Sequence, residues 1–383
     1  MTSPQNAKNS VVVVVGGGFG GLFSVLAIRE RLPERPVVLL EPHSTFLFQP
    51  HLYELLSGEM QSWEVAPGYR DLLSSRQMVW LQERVNRIDL DAGYLTTESG
   101  SRLEWGDLVL ATGTEPNDFG IPGVRQHSQG FHSLNDVATL RERIQLLRQQ
   151  RQSDAALVIV GAGPTGVELA CKLADLLEGS ALVHLIEIGD EILPSSRSFN
   201  RSRAQAALER RQVRLHLKTK VTAVTETQVQ LAGGTTLRHD GLIWSGGSRP
   251  SLPPLKPESV VERSGISINA DLRVSGQANV FAIGDGAHHA QTPWPCTAQV
   301  AMQQGEAIAA ALAAMTAGQE PEPFQFQDRG EMLSLGIGDA TLTGLGITLA
   351  GPLAFKLRRA TYLTRLPGMS LGLRSAGAWL LNR

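Results

Sequence analysis

Cysteine is nearly absent. Among 383 residues there are two, Cys171 and Cys296, far apart and in no CxxC pair, which excludes a disulfide scaffold and a dithiol centre adjacent in sequence. An excess of charge of one sign is missing too. The net charge of −2 carries no nucleic-acid signature, since such binding needs a strongly basic stripe, and no nucleic-acid partner is expected. The histidines, His288 and His289 among them, show no ligand spacing, and no metal is inferred. The first ten residues, MTSPQNAKNS, lack the ordered regions of a secretory signal, and a cytosolic, reducing setting is the expectation. A long uncharged run does occur, over residues 10–28, about the length of a membrane span. Its five glycines between Gly16 and Gly21 favour a buried strand followed by a glycine turn.

Apolar residues make up 42% of the chain, enough for a sizeable core in two or three domains. Residues 11–15 are all valine, the composition a central strand buried on both faces needs. The glycine turn comes next, then helical spacing over 22–31 closed by Pro33 and Pro36, then a strand over 37–40 ending at Glu41. The same order recurs as strand 157–160, glycine turn 161–166, helix 167–177, strand 181–186 and Glu187. Two copies of this plan predict an α/β fold of parallel sheets with helices on both faces. Residues 109–113 read as a strand running into a turn, and Pro116, Pro122 and Gly123 mark the crossover to the second domain. A strand over 280–283 meets Gly284-Asp285-Gly286, and an alanine-rich helix covers 297–315. From Thr341 to Arg383 the chain has Lys356, Arg358, Arg359, Arg365, Arg374 and Arg383, and no acid.

The two glycine turns carry the chemistry. In Gly16-x-Gly18-x-x-Gly21 the first glycine permits the tight turn, the second lets backbone approach a pyrophosphate, and the third lets helix and strand pack closely. The helix N-terminus then offers free N–H groups and the positive end of its dipole. Glu41, about twenty residues on, is placed to accept a ribose hydroxyl. Gly161-x-Gly163-x-x-Gly166, opening with Pro164 and Thr165 inside it and followed by Glu187, repeats the device. A chain with two such turns binds two dinucleotides.

VVVVVGGGFGGL, LVLATGTEP, VIVGAGPTGVELA and VFAIGD, in that order, resemble the two-dinucleotide-binding flavoprotein superfamily. The resemblance implies that the first fold holds FAD and the inserted second fold NADH or NADPH. It places Gly16, Gly18, Phe19, Gly20, Gly21, Glu41, Pro42, Ala111, Thr112 and Gly113 at FAD, with Gly284 and Asp285 at the ribityl chain. Gly161, Gly163, Pro164, Thr165, Gly166 and Glu187 fall to the nicotinamide nucleotide. Glu187 suits a free 2′-hydroxyl, whereas Arg197 and Arg201 downstream would offset a 2′-phosphate, so both donors are expected to work. Residues 295–305, PCTAQVAMQQG, are similar to the quinone-site signature of type II NAD(P)H dehydrogenases. That implies a flavin–quinone contact at Ala298 and Gln299, with Gln303 a weaker quinone candidate, and a proton-relay role for Glu168.

The stretch FLFQPHLYELLSGEMQSWEVAPGYRDLL resembles the chloroplast and cyanobacterial branch associated with phylloquinone synthesis, in which a demethylated naphthoquinone is reduced. The expected function is therefore FAD-dependent, non-pumping NAD(P)H:quinone reduction. A sulfide:quinone oxidoreductase and a dehydrogenase acting on plastoquinone stand as alternatives. Cys171 reads as a small core residue, and Cys296 as structural at the start of the quinone helix. The domain expectation is FAD over 1–120 and 262–326, nucleotide over 121–261, and a membrane-facing subdomain over 327–383. Apolar residues mixed with Lys and Arg in that tail fit peripheral attachment to the cytoplasmic face of a membrane. A homodimer is left open.

Overall fold

The computed structural model describes residues 11–73 and 78–381, with the backbone alone for 369, 370, 380 and 381; Arg383 lies outside the described residues. In chain order the elements that matter begin with β1 (Val12–Val15), α1 (Phe19–Arg31), β2 (Val37–Leu40), α2 (Leu52–Ser57), β3 (Val79–Leu81) and β4 (Asp107–Leu110). The second copy supplies β5 (Ala156–Val160), α3 (Pro164–Leu177), β6 (Leu182–Ile186), β7 (Arg214–His216) and β8 (Gly241–Trp244). Beyond it come β9 (Val280–Ala282), α4 (Ala298–Thr316), β10 (Glu331–Ser334), β11 (Ala340–Gly344), β12 (Ile347–Ala350), α5 (Pro352–Leu363) and α6 (Met369–Leu381).

The chain divides into two compact units. One comprises the chain through Phe46, Pro67–Glu115 and Ser248–Gln327. Its sheet runs in the order β9-β4-β1-β2-β3, all parallel, with Val12 in register with both Val37 and Asp107. Val12, Val13 and Val14 are wholly buried, and each valine contributes at most about 1.5 kcal/mol by removing its side chain from water. Helices α1 and α4 pack backbone to backbone: a Cβ at Gly305 would lie 2.8 Å from Ser24 N and 3.0 Å from Gly20 O. That glycine fixes how closely α4 approaches the first glycine turn.

The other unit comprises Leu47–Ala66, Pro116–Gly247 and the chain from Asp328 onward. Its parallel sheet runs β7-β6-β5-β8, and every residue of β5 is buried. The antiparallel β10-β11-β12 and helices α5 and α6 fall within this unit rather than forming a body of their own. So does the segment 47–66, which interrupts the first unit in sequence. Both fingerprint helices start three residues earlier than apolar spacing suggests, at Phe19 and Pro164, because the last glycine of each turn and the two residues before it already take helical backbone. Among the described residues no helix is long and apolar enough to cross a membrane.

Candidate functional site

The first glycine turn is built by backbone contacts that exclude any side chain. Gly16 has φ +96°, and a Cβ there would sit 2.4 Å from Ala111 O; at Gly21 it would sit 1.8 Å from Gly16 O. Around Gly18, by contrast, nothing lies within 4 Å of the added atom, which is the space a pyrophosphate needs. Gly18 caps α1 with no side-chain bond, and the first turn holds no acid, so its N–H groups remain available to an anion. Glu41 accepts the Gly17 N–H at 2.7 Å and, through its other oxygen, the His43 N–H at 2.9 Å. Phe19 packs its edge on Phe46, ring centroids 5.2 Å apart, and the Pro42 carbonyl accepts from Gln82.

The turn after β4 brings Ala111, Thr112 and Gly113 beside the same place. Thr112 Oγ1 is buried without a hydrogen-bond partner, an unmet polar group of the kind a bound ligand satisfies. Gly113 O lies 3.1 Å from where a Cβ on Gly286 would be, so this turn abuts Gly284-Asp285-Gly286. Burial pushes the Asp285 carboxyl above its ordinary range. Two residues that escaped the sequence reading hold the site together. Tyr69 donates its hydroxyl to Gly17 O at 2.6 Å, and Gln304 accepts the Gly284 N–H at 2.7 Å. Ala298 and Gln299 open α4, capped by Thr297. Gln303 grips the backbone of Gln327 at both ends of its amide, each bond 3.0 Å.

The second turn repeats the first almost atom for atom. Gly161 has φ +102° with a Cβ 2.5 Å from Ser245 O, Gly166 would meet Gly161 O at 1.8 Å, and Gly163 opens on free space. Pro164 occupies the first helical position, where its missing N–H costs nothing. Glu187 accepts the Ala162 N–H at 2.7 Å and the Gly189 N–H at 2.8 Å, just as Glu41 does in the first copy. The downstream arginines are engaged elsewhere. Arg197 pairs with Asp328 at 2.8 Å, and Arg201 pairs with Glu191 at 2.7 Å while donating to Leu193 O, Pro194 O and Ser196 O.

A buried polar cluster in the second unit surrounds Glu168. Its carboxylate accepts the Ser334 N–H at 2.6 Å and bonds the Tyr53 hydroxyl, and Arg358 Nη2 stands 3.7 Å away. Glu168 is not a first-turn acid answering the helix dipole: α3 has none in its first turn. Desolvation, only partly offset by Arg358, raises its carboxyl to about 7. Arg358 itself bonds Glu54 through Nη1 and Pro50 O through Nη2 at 2.9 Å. His51 lies 3.6 Å from Glu54, packed against the rings of Phe48 and Tyr362.

The tail differs from a uniformly solvated basic face. Arg358 is buried and Arg359 stacks on Trp379 at 3.8 Å, while Lys356 and Arg374 are exposed. Cys171 is buried and its thiol is pushed up to about 12 by desolvation. Cys296, read as structural at the start of the quinone helix, is exposed, because the Pro295 segment leading into α4 lies at the surface.

With this geometry in place, the family profile described as pyridine nucleotide-disulphide oxidoreductase matches residues 10–305. A demethylphylloquinone reductase of Synechocystis sp. is 35% identical over 395 residues, covering 97% of this chain and 98% of its own length. An alternative NAD(P)H-ubiquinone oxidoreductase of Arabidopsis thaliana is 32% identical, covering 95% of this chain and 79% of its own length. The solved structure of NDH2 from Plasmodium falciparum in complex with NADH shares the fold at TM-score 0.85 and 16% identity, over 97% of this chain and 98% of that one. A sulfide:quinone oxidoreductase of Aquifex aeolicus follows at TM-score 0.74 and 19% identity, over 93% and 91%.

Proposed function

Because this chain belongs to the pyridine nucleotide-disulphide oxidoreductase family, we propose that it is an FAD-dependent NAD(P)H:quinone oxidoreductase whose acceptor is a demethylated naphthoquinone. The observation that carries this reading is its similarity, over nearly the full length of both chains, to a demethylphylloquinone reductase. When bound, FAD supplies the redox chemistry, taking a hydride from NAD(P)H and releasing two electrons to the quinone.

The chain's own residues bind, orient and deliver protons. The turn at Gly16–Gly21 with Glu41, Thr112 and Asp285 holds FAD, and the turn at Gly161–Gly166 with Glu187 holds the nicotinamide nucleotide. Reduction of a quinone consumes two protons as well as two electrons. One of these protons originates with the hydride of NAD(P)H, and Glu168 is the proposed donor of the other, because a carboxyl held near 7 carries a proton at neutral pH and releases it readily. Ala298 and Gln299, half-buried at the start of α4, are the proposed quinone contacts. A sulfide reaction is disfavoured, since Cys171 is buried and protonated and thiolate is the reactive form.

Anaerobic stopped-flow tests the reading. NADH or NADPH should bleach the flavin of the purified protein, and a demethylated naphthoquinone should restore the colour rapidly. Recovery with a plastoquinone analogue alone would keep the enzyme class and remove the naphthoquinone. Failure of both nucleotides to bleach the flavin would refute hydride transfer altogether.

Peripheral membrane attachment belongs to the same proposal, since a lipid-soluble quinone must be reached from the bilayer. Leu345 and Leu373 are 83% and 73% exposed, and exposed Lys356 and Arg374 stand in the acid-free tail. Such a surface binds by apolar burial together with attraction to anionic lipid. In flotation assays the protein should rise with anionic vesicles, and Leu345→Asp with Leu373→Asp should stay at the bottom. Equal flotation of the double variant would move the contact elsewhere.

A further inference from the structure

Arg358 is one cation facing two carboxylates in a buried site. Glu54 and Arg358 are 1% and 2% exposed, and Glu168 is 7% exposed. A single positive charge cannot neutralise two buried negative ones, so one of the carboxyls keeps its proton. Geometry decides which. Glu54 Oε1 takes a direct bond from Arg358 Nη1, whereas Glu168 Oε1 is 3.7 Å from Nη2. The partners of Glu168 are neutral, the Ser334 N–H at 2.6 Å and the Tyr53 hydroxyl. Glu54 therefore retains the charge and Glu168 the proton.

We propose that Glu54 is a positioning residue for the reaction: by drawing the Arg358 guanidinium to itself, it leaves Glu168 able to carry a proton. The inference rests on the reading of Glu168 as the proton donor to the quinone. The other charged and titratable neighbours are accounted for. Lys172, one turn along α3 from Glu168, bonds Glu59 at 2.6 Å and its charge also favours the ionised form of Glu54. From α5, Tyr362 is buried with its hydroxyl pushed upward by desolvation, and Arg359 is committed to the Trp379 ring. On the other side of Glu54 stands His51, whose ring nitrogens have no hydrogen-bond partner and whose burial favours the neutral form. Cys171, next along α3, stays a neutral thiol. None of these groups supplies a second cation to Glu168.

The experiment uses the full-length holoprotein. The infrared carbonyl band of protonated Glu168, identified by its loss in Glu168→Gln, is followed against pH in wild type and in Glu54→Gln. With Glu54 neutral, the Arg358 charge falls to Glu168, and the midpoint of the band should drop by at least about one pH unit, a tenfold change in proton affinity. Glu54→Asp, which keeps the charge, should return the midpoint toward wild type. The pH profile of flavin reoxidation by the naphthoquinone should move down with the band. An unmoved midpoint in Glu54→Gln overturns the inference whatever the kinetics do. A midpoint that moves without the kinetic profile upholds the role of Glu54 and refutes Glu168 as proton donor. Should Glu54→Gln not fold, wild type decides: absence of the Glu168 band at pH 6 overturns the inference, and its presence with Glu54 ionised supports it.

Discussion

Replacing Glu168 with glutamine should slow reoxidation of the reduced flavin by a naphthoquinone roughly 10²- to 10⁴-fold, the range over which a positioned proton donor acts. Bleaching by NADH should keep its wild-type rate, because hydride transfer consumes no proton from the protein. The two half-reactions separate cleanly in a sequential-mixing stopped-flow experiment. Equal slowing of both would point to a damaged fold, and slowing of neither would strip Glu168 of the role.

The same variant has a stability signature with a definite sign. Folding raises the Glu168 carboxyl from 4.5 to about 7. A carboxyl raised on folding favours the native state fully below its unfolded value and loses that contribution as pH climbs through the folded one. Across the window from about pH 4.5 to 8 the loss amounts to ~3 kcal/mol. Thermal midpoints of wild type should therefore fall between pH 5.5 and 8 more steeply than those of Glu168→Gln. Parallel curves would place the carboxyl in its ordinary range.

The second large effect comes from a methyl group. At Gly21 and at Gly166 an added Cβ would overlap a backbone carbonyl at 1.8 Å, a contact no rotamer change relieves. Opening either turn costs about 1–3 kcal/mol, which corresponds to roughly 5- to 150-fold in dinucleotide affinity. Gly21→Ala should therefore emerge from purification depleted of FAD. Gly166→Ala should remain yellow, accept electrons from dithionite, and show its KM for NADH raised by that factor. The opposite pattern would exchange the cofactors between the turns. Retention of both functions would mean that the overlap is absorbed by a shift of the helix.

The turns were legible in the sequence because their interactions are local. Gly16 touches Gly21, and Glu41 reaches back to Gly17 across 24 positions, all within one strand–helix–strand unit whose backbone plan repeats at Gly161, Gly166 and Glu187. Valine runs and glycine spacing encode such a unit directly, since a parallel strand buried on both faces and a turn with positive φ each restrict residue type severely. Glu168 stood out as well, though only through resemblance, and its setting was invisible.

Tertiary structure decided the rest. Glu54, Glu168, Ser334 and Arg358 come from four distant stretches, and no periodicity marks them as neighbours. In sequence Arg358 is one more basic residue in an acid-free tail; packing of α5 buries it against Glu54, while Lys356, two residues away, is exposed. Gln303 and Gln304 are adjacent and chemically identical, yet a rotation of about 100° along the helix gives one to the backbone of Gln327 and the other to Gly284. Which glutamine faces the Gly284 turn depends on how α4 lies against α1, and that is set by the close approach at Gly305. Residue type and spacing determined the two dinucleotide folds; charge burial, which depends on what packs around a group, determined where the proton sits.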